Sequence, residues 1–288
     1  MTQADRSTDA VLSAMRRASD ARRRALQDLK AAARNEALAD GPGGELRASA
    51  AAMLRRSAAR HAAAAHLQEA HARRLATWMG RPGDRPRFMS GVADLFGTRS
   101  ATLTVVGSDL DQLASAASDS TAKAAQELEF ALGSGPAADA TSGGLLVQGT
   151  GAELERRWPG YGAGLAELGV GTVVAVPLLS TTQCLGALTV FDPQPYGDRP
   201  RPVSYDEMAA VLTRMLLGPD AEPELHLGMD LQEVVHQATG MVSVQCGCGV
   251  DDALSLIKAR AFALGETTTA VAAQIVHEGL RIGLGDAE

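Results

Sequence analysis

Aromatic residues make up only 3% of the 288-residue chain, and cysteines number three. With five Phe, three Tyr and two Trp, a core built from large rings is excluded, and helices must pack through small and aliphatic side chains. Cys184, Cys246 and Cys248 are an odd number, and the last two are too close together to close a useful loop, so no disulfide framework is implied. Long apolar runs are missing too. Arginine or aspartate interrupts every apolar stretch in the first thirty residues, and no later segment reaches about 18 uncharged apolar residues. Neither a signal peptide nor a membrane span is expected, and the predicted location is the cytoplasm.

The signatures of a catalyst are absent as well. There is no nucleophile elbow, no HExxH, no Walker loop and no dinucleotide fingerprint, so the expectation is a protein that is not an enzyme and carries no cofactor. Cys246-Gly247-Cys248 lacks both a second pair and the wider spacing of a structural zinc site. His61, His66 and His71 are five apart, which turns each about 140° from the last on a helix and keeps them off one face. No metal site is predicted.

Positive charge is missing where it would matter most. The net charge of -7 divides unevenly: residues 1–85 carry 16 Lys and Arg against 9 acids, residues 86–218 carry 8 against 14, and residues 219–288 carry 3 against 11. Neutralisation of phosphates by Lys and Arg supplies most non-specific nucleic-acid affinity, so the last block is poorly equipped for it.

What is present is 45% hydrophobic content, enough for real cores in about two ordinary domains. From Ser7 to about Ala39 nothing breaks a helix, and Val11, Met15, Ala18, Ala25 and Leu29 recur on one face. Asp40-Gly41-Pro42-Gly43-Gly44 ends that run as a loop. A second helical pattern covers Glu45 to about Met79, anchored by Leu46, Ala50, Met53, Leu54, Leu67, Leu75 and Trp78. Each helix would be roughly 50 Å long, and the two should form a hairpin or dimerise. Arg22, Arg23 and Arg24 splay about 100° apart and read as a solvated face.

A linker-like stretch, Gly80 to Pro86, precedes a mixed pattern. Ala101–Val106, Gly144–Gln148, Thr172–Leu179 and Cys184–Phe191 read as strands, the last two joined as a hairpin. Thr121–Leu132, Ala152–Arg157, Gly162–Leu168 and Ser204–Leu217 read as helices, and Gly133-Ser134-Gly135-Pro136 as a turn. Beyond Gly218-Pro219, three helical patterns follow. The first carries Leu231, Val234, Val235, Ala238, Met241 and Val242, the second Val250 to Leu264 with Gly265 as its cap, and the third Val271, Ile275 and Val276 behind Thr267 to Thr269. The fold class predicted is α+β: a helical hairpin over 1–85, a sheet domain with flanking helices over 86–218, and a three-helix unit over 219–288.

The segments His236-Gln237-Ala238-Thr239-Gly240-Met241-Val242, Asp252-Ala253-Leu254-Ser255-Leu256-Ile257-Lys258 and Ala270-Val271-Ala272-Ala273-Gln274-Ile275-Val276 resemble an ANTAR domain in order and spacing. The middle block, through Gly133-Ser134-Gly135-Pro136, Glu155-Arg156-Arg157-Trp158-Pro159 and the two strong strands, is similar to the GAF sensors that precede such domains. The second resemblance implies a six-stranded antiparallel sheet and a pocket for an unnamed small-molecule or protein signal. The first implies a homodimer that binds paired RNA hairpins and prevents transcription termination, with Gln237, Thr239, Gln245, Lys258 and Arg260 as the RNA-binding residues. Thr239 stands where the family has lysine, Gln245 where an arginine commonly follows, and Lys258 where arginine is usual. A signal-responsive antiterminator and a dimerising protein-interaction module that has lost RNA recognition both remain open.

Overall fold

The computed structural model describes residues 3–79, 81, 84–194, 202–218 and 222–282; Gly80, Pro82 and Gly83 of the linker-like stretch, and Pro219, lie outside them. The architecture is α+β as expected, with long N-terminal helices, a six-stranded antiparallel sheet and C-terminal helices.

Helix α1 spans Gln3–Glu36 and α2 Gly44–Trp78, antiparallel across a turn in which Gly43 adopts φ 78°. The face that α1 buries is not the one its larger apolar residues suggest. Ala14, Ala18, Ala21, Ala25 and Ala32 are buried, whereas Met15 is 50% and Leu26 59% exposed, and Leu12 and Leu29 are exposed too. Ala51, Ala58, Ala65 and Ala72 recur every seven residues among the buried positions of α2. Small residues at heptad spacing let two long helices approach closely along their whole length, and this shifts the buried stripe one residue away from Met15 and Leu29. Leu46 and Met53 of α2, expected as anchors, are exposed as well.

Helix α3 (Phe88–Leu95) leads into β1 (Ala101–Val106) and β2 (Gln112–Ala117). Asp119 then caps α4 (Ser120–Leu132), its Oδ1 accepting the Ala122 N–H at 2.8 Å, and Gly133 ends that helix at φ 68°. Pro136 at the first position opens α5 (Pro136–Gly143). There follow β3 (Val147–Thr150), α6 (Ala152–Arg157), α7 (Tyr161–Glu167), β4 (Thr172–Leu179) and β5 (Cys184–Phe191). Helix α8 (Tyr205–Leu217) starts with a reciprocal capping box between Ser204 and Glu207. A short α9 (Pro223–Leu227) and β6 (Asp230–Leu231) precede the final helices α10 (Glu233–Cys246), α11 (Val250–Leu264) and α12 (Thr268–Ala273), the last continued by a wider turn to Glu278.

The strand order is β3-β4-β5-β1-β2-β6. Alternation along β5 divides the core in two: Leu188 and Val190 face α3, α8 and the Leu67–Ala70 stretch of α2, while Ala187 and Phe191 face α4 to α7 with Trp158, Tyr161 and Leu165. A third core, built on Val235, Ala238, Ile257, Ala261, Val271 and Ile275, belongs to the last three helices. Gly265 takes φ 65° and Thr267 Oγ1 accepts the Ala270 N–H, as their cap positions require. Leu231 departs from its expected place in the first of these helices. It pairs with Ala114 as part of the edge strand β6 and is exposed.

Candidate functional site

The three-helix unit lies against the sheet domain, and the residues singled out by resemblance fall on both sides of that contact. The core positions of α10 are Val235, Ala238 and Val242, so the side chains between them point elsewhere. Gln237 and Gln245 are exposed. Thr239 is 3% exposed, and its hydroxyl donates to the Val235 carbonyl at 2.7 Å, so its polar group is satisfied within its own helix. On α11, Arg260 is partly exposed and lies two residues, about 200° of helix, from Lys258. Lys258 points at the sheet domain, its ammonium 4.5 Å from the centroid of Phe130 on α4. The structure brings Thr239 and Lys258 to the same recess and leaves Gln237 and Gln245 away from it.

Several contacts fix this docking. The β6 strand pairs with β2 through Ala114–Leu231 and Ser115–Asp230, and the Gln232 N–H donates to the Leu113 carbonyl at 3.0 Å. Lys123 of α4 makes a 3.0 Å ion pair with Asp230. His236 Nε2 lies 3.3 Å from the Gln112 carbonyl oxygen. Phe130 packs against the third core and thereby joins the two units by apolar burial.

Between them lies a recess of about 450 Å³, bounded by Val106 and Gln112 of the sheet region, Glu129 and Phe130 of α4, and Leu254 and Lys258 of α11. Burial pushes the Lys258 ammonium below its ordinary value, against the opposing pull of Asp111. Burial likewise raises the Glu129 carboxyl to about 7, partly offset by the backbone N–H groups of Ala138 and Ala137. The local sequence makes room for this carboxyl: a side chain on Gly135 would start 2.5 Å from it, and the Ala138 N–H in the first turn of α5 donates to Oε1 at 2.9 Å. Tyr161 OH is buried nearby without a hydrogen-bond partner, and burial together with Glu129 raises its pKa. A larger recess of about 950 Å³ opens on the other flank of Phe130 and Lys258.

The segment joining the sheet domain to the final helices is clamped by the hairpin. Glu222, 2% exposed, receives the Arg17 guanidinium of α1 at 3.0 Å and the side-chain amide of Gln68 on α2. Glu224 faces His71 at 3.8 Å and Arg85 at 2.8 Å, and these two groups, His71 first, hold its carboxyl down at about 2 against the opposing effect of burial. His71 is fully buried, its ring 5.0 Å from that of Phe88. Sequence reasoning missed Phe130, Glu129 and Glu222, and considered His71 only as a metal ligand, not as a buried partner of Glu224. Of these only Glu222 carried a signal, as an acid beside Pro223 at a domain joint.

Among the described residues no helix is long and apolar enough to cross a membrane. No family model matches the chain, and neither curated proteins nor solved structures give a significant match.

Proposed function

We propose that the chain is a signal-responsive regulator of transcription antitermination. Its last three helices form an ANTAR-type output unit for hairpin RNA, the sheet domain is a GAF-type sensor, and the chain acts as a homodimer. The observation that carries the reading is the seat of Lys258 on Phe130: the cation that the resemblance assigns to RNA is held by the sensor. Docked in this way, the output unit offers RNA only Gln237, Gln245 and Arg260 of the five residues. Release of α11 from α4 would add Lys258. Regulation then amounts to competition between Phe130 and phosphate for one ammonium. The unpartnered stripe of Leu12, Met15, Leu26 and Leu29 on α1 is the face that supports self-association.

A second reading, a protein-interaction module, is favoured by the exposed side chains of Phe262 (86%) and Val244 on a unit with few positive charges. Fluorescence anisotropy of a tandem-hairpin RNA with the full chain separates the two. On the first reading, Phe130→Ala removes a cation–π contact of about 1 kcal/mol and tightens RNA binding about fivefold. Lys258→Ala weakens it, and the salt slope is about -1.4 per subunit if Lys258 and Arg260 each meet one phosphate. No binding at low salt by the folded wild type or by folded Phe130→Ala protein would leave the protein-interaction reading.

A further inference from the structure

We propose that the recess between the sheet, α4 and α11 binds a small organic cation, an ammonium on a short apolar body with a hydroxyl or carbonyl oxygen, and that its occupancy expels Lys258 from Phe130. The binding half of this inference stands on the recess alone; its consequence for RNA rests on the function proposed above.

Five observations converge on that ligand class. The volume, about 450 Å³, lies in the range of small-molecule sites. Val106, Leu110, Phe130 and Leu254 give it apolar walls. The ionisable groups on those walls are Asp111, Glu129, Asp139 and Asp251 against Lys258 and His236; Asp139 is paired with Arg157 and burial raises Glu129 to about 7, so Asp111 and Asp251 are the acids that favour a cation over an anion. The decisive feature is that a cation seat already exists and is in use. The ring of Phe130 carries the chain's own ammonium 4.5 Å from its centroid, and an aromatic face that holds a lysine will hold another ammonium of similar size. The fifth observation sets the other end of the ligand: Gln112 lines the recess with its Nε2 buried and unpartnered, a donor that an oxygen of the ligand would satisfy.

The mechanism is exchange. Lys258 and a ligand cation cannot occupy the same ring face, so binding at the recess turns the Lys258 side chain away from Phe130 while Leu254 of α11 stays as a wall of the site. Such a ligand binds the arrangement with Lys258 turned out better than the one with Lys258 on the ring, which is the differential affinity that a population shift demands, and it removes one of the contacts that dock α11 on α4.

The test uses choline as probe and 3,3-dimethylbutan-1-ol, its neutral isostere, as control, with the full chain. Calorimetry measures binding, and reductive dimethylation read by peptide mass spectrometry measures the accessibility of Lys258 relative to Lys30. The expected results are saturable choline binding, a severalfold rise in Lys258 labelling on saturation, and no competition by the alcohol. Lys258→Met, which empties the seat, should bind choline about fivefold tighter. Phe130→Leu, which keeps an apolar side chain but removes the ring, should bind at least tenfold more weakly. Absence of binding by both the wild type and Lys258→Met, with circular dichroism showing each folded, overturns the proposal. Equal competition by the alcohol, or unchanged binding by Phe130→Leu, overturns it as well. No step involves RNA, so failure here leaves the antitermination reading to its own test.

Discussion

Replacing Glu129 by glutamine should make the protein more resistant to urea at pH 8 while changing it far less at pH 5. The carboxyl is pushed from 4.5 to about 7 in the folded chain, chiefly by burial. Below pH about 4.5 it is protonated whether the chain is folded or not, and contributes nothing to the pH dependence. Between about 4.5 and 7 the unfolded chain gives up the proton and the folded chain keeps it, so stability falls as pH rises. Above 7 both forms are ionised and the loss levels off. At about 1.4 kcal/mol per tenfold change in the ionisation constant, the full loss is about 3 kcal/mol. Glutamine mimics the protonated form and retains the oxygen that accepts the Ala138 N–H at 2.9 Å. The stability difference between variant and wild type should therefore move by about 2–3 kcal/mol in favour of the glutamine variant between pH 5 and pH 8. Urea unfolding followed by Trp158 fluorescence reports on the right region, since that ring lies in the core beneath α4 and α5. If the two proteins show parallel pH profiles, the carboxyl is not held neutral by burial and the description of this end of the recess is wrong.

Other expectations follow from the packing. Glu222→Ala removes the acceptor of the Gln68 amide and one acceptor of the half-buried Arg17 guanidinium, which keeps Ser13 and the Gln68 oxygen; a loss of about 1–2 kcal/mol is expected, with faster hydrogen exchange over residues 222–231 than elsewhere, and uniform exchange would refute the clamp. Gly186→Ala should destabilise by more than about 2 kcal/mol, because Gly186 has φ 142° and a Cβ there would lie 1.8 Å from the Thr104 carbonyl oxygen; a melting temperature within a degree of wild type would contradict this. Leu26→Lys with Leu29→Lys should weaken self-association in sedimentation velocity at unchanged helicity, since both side chains are exposed within one chain; an unaltered oligomeric state would remove that stripe from the interface.

How legible each element was depended on whether its reasons were local. Strands β1, β4 and β5 are runs of β-branched and aliphatic residues, and their bounds follow from those runs. Strand β2, Gln-Leu-Ala-Ser-Ala-Ala, has no such preference; it is a strand because β1 pairs with it and because α4 needs small residues beneath it. Strand β6 is two residues long, and its pairing with β2 is a tertiary event that no window reveals. Helix α5 was not expected, since Gly133-Ser134-Gly135-Pro136 read only as a turn and Gly144 as the start of a strand; Pro136 in fact opens the helix and Gly144 ends it. The hairpin's existence was plain, but which stripe it buries was not, because hydrophobic periodicity ranks Leu and Met above Ala whereas close helix approach reverses that order. Lys258 stood out only through resemblance, and its partner Phe130 was one aromatic residue within an ordinary helix pattern.

The strength of the docking decides whether a ligand could undo it. Lys123 and Asp230 are 40% and 53% exposed, so their ion pair contributes at most about 1 kcal/mol. The Lys258–Phe130 contact adds about 1 kcal/mol, and β6 offers only two residues to the ladder. The covalent connection raises the local concentration of the three-helix unit, which is why so few contacts suffice to hold it. By contrast, the clamp holds a buried Glu222 with the buried Gln68 and a half-buried Arg17, and joins the connector to a hairpin whose Leu67 and Ala70 belong to the sheet's own core. The upstream end of the connector is therefore rigid and its downstream end weakly held. A signal acting near Phe130 needs to supply only a few kcal/mol of differential affinity, equivalent to roughly a hundredfold preference between the two arrangements. A signal acting on the hairpin would instead have to strip a buried carboxylate of both its partners. This difference places the adjustable step at the recess and assigns the hairpin to holding the connector.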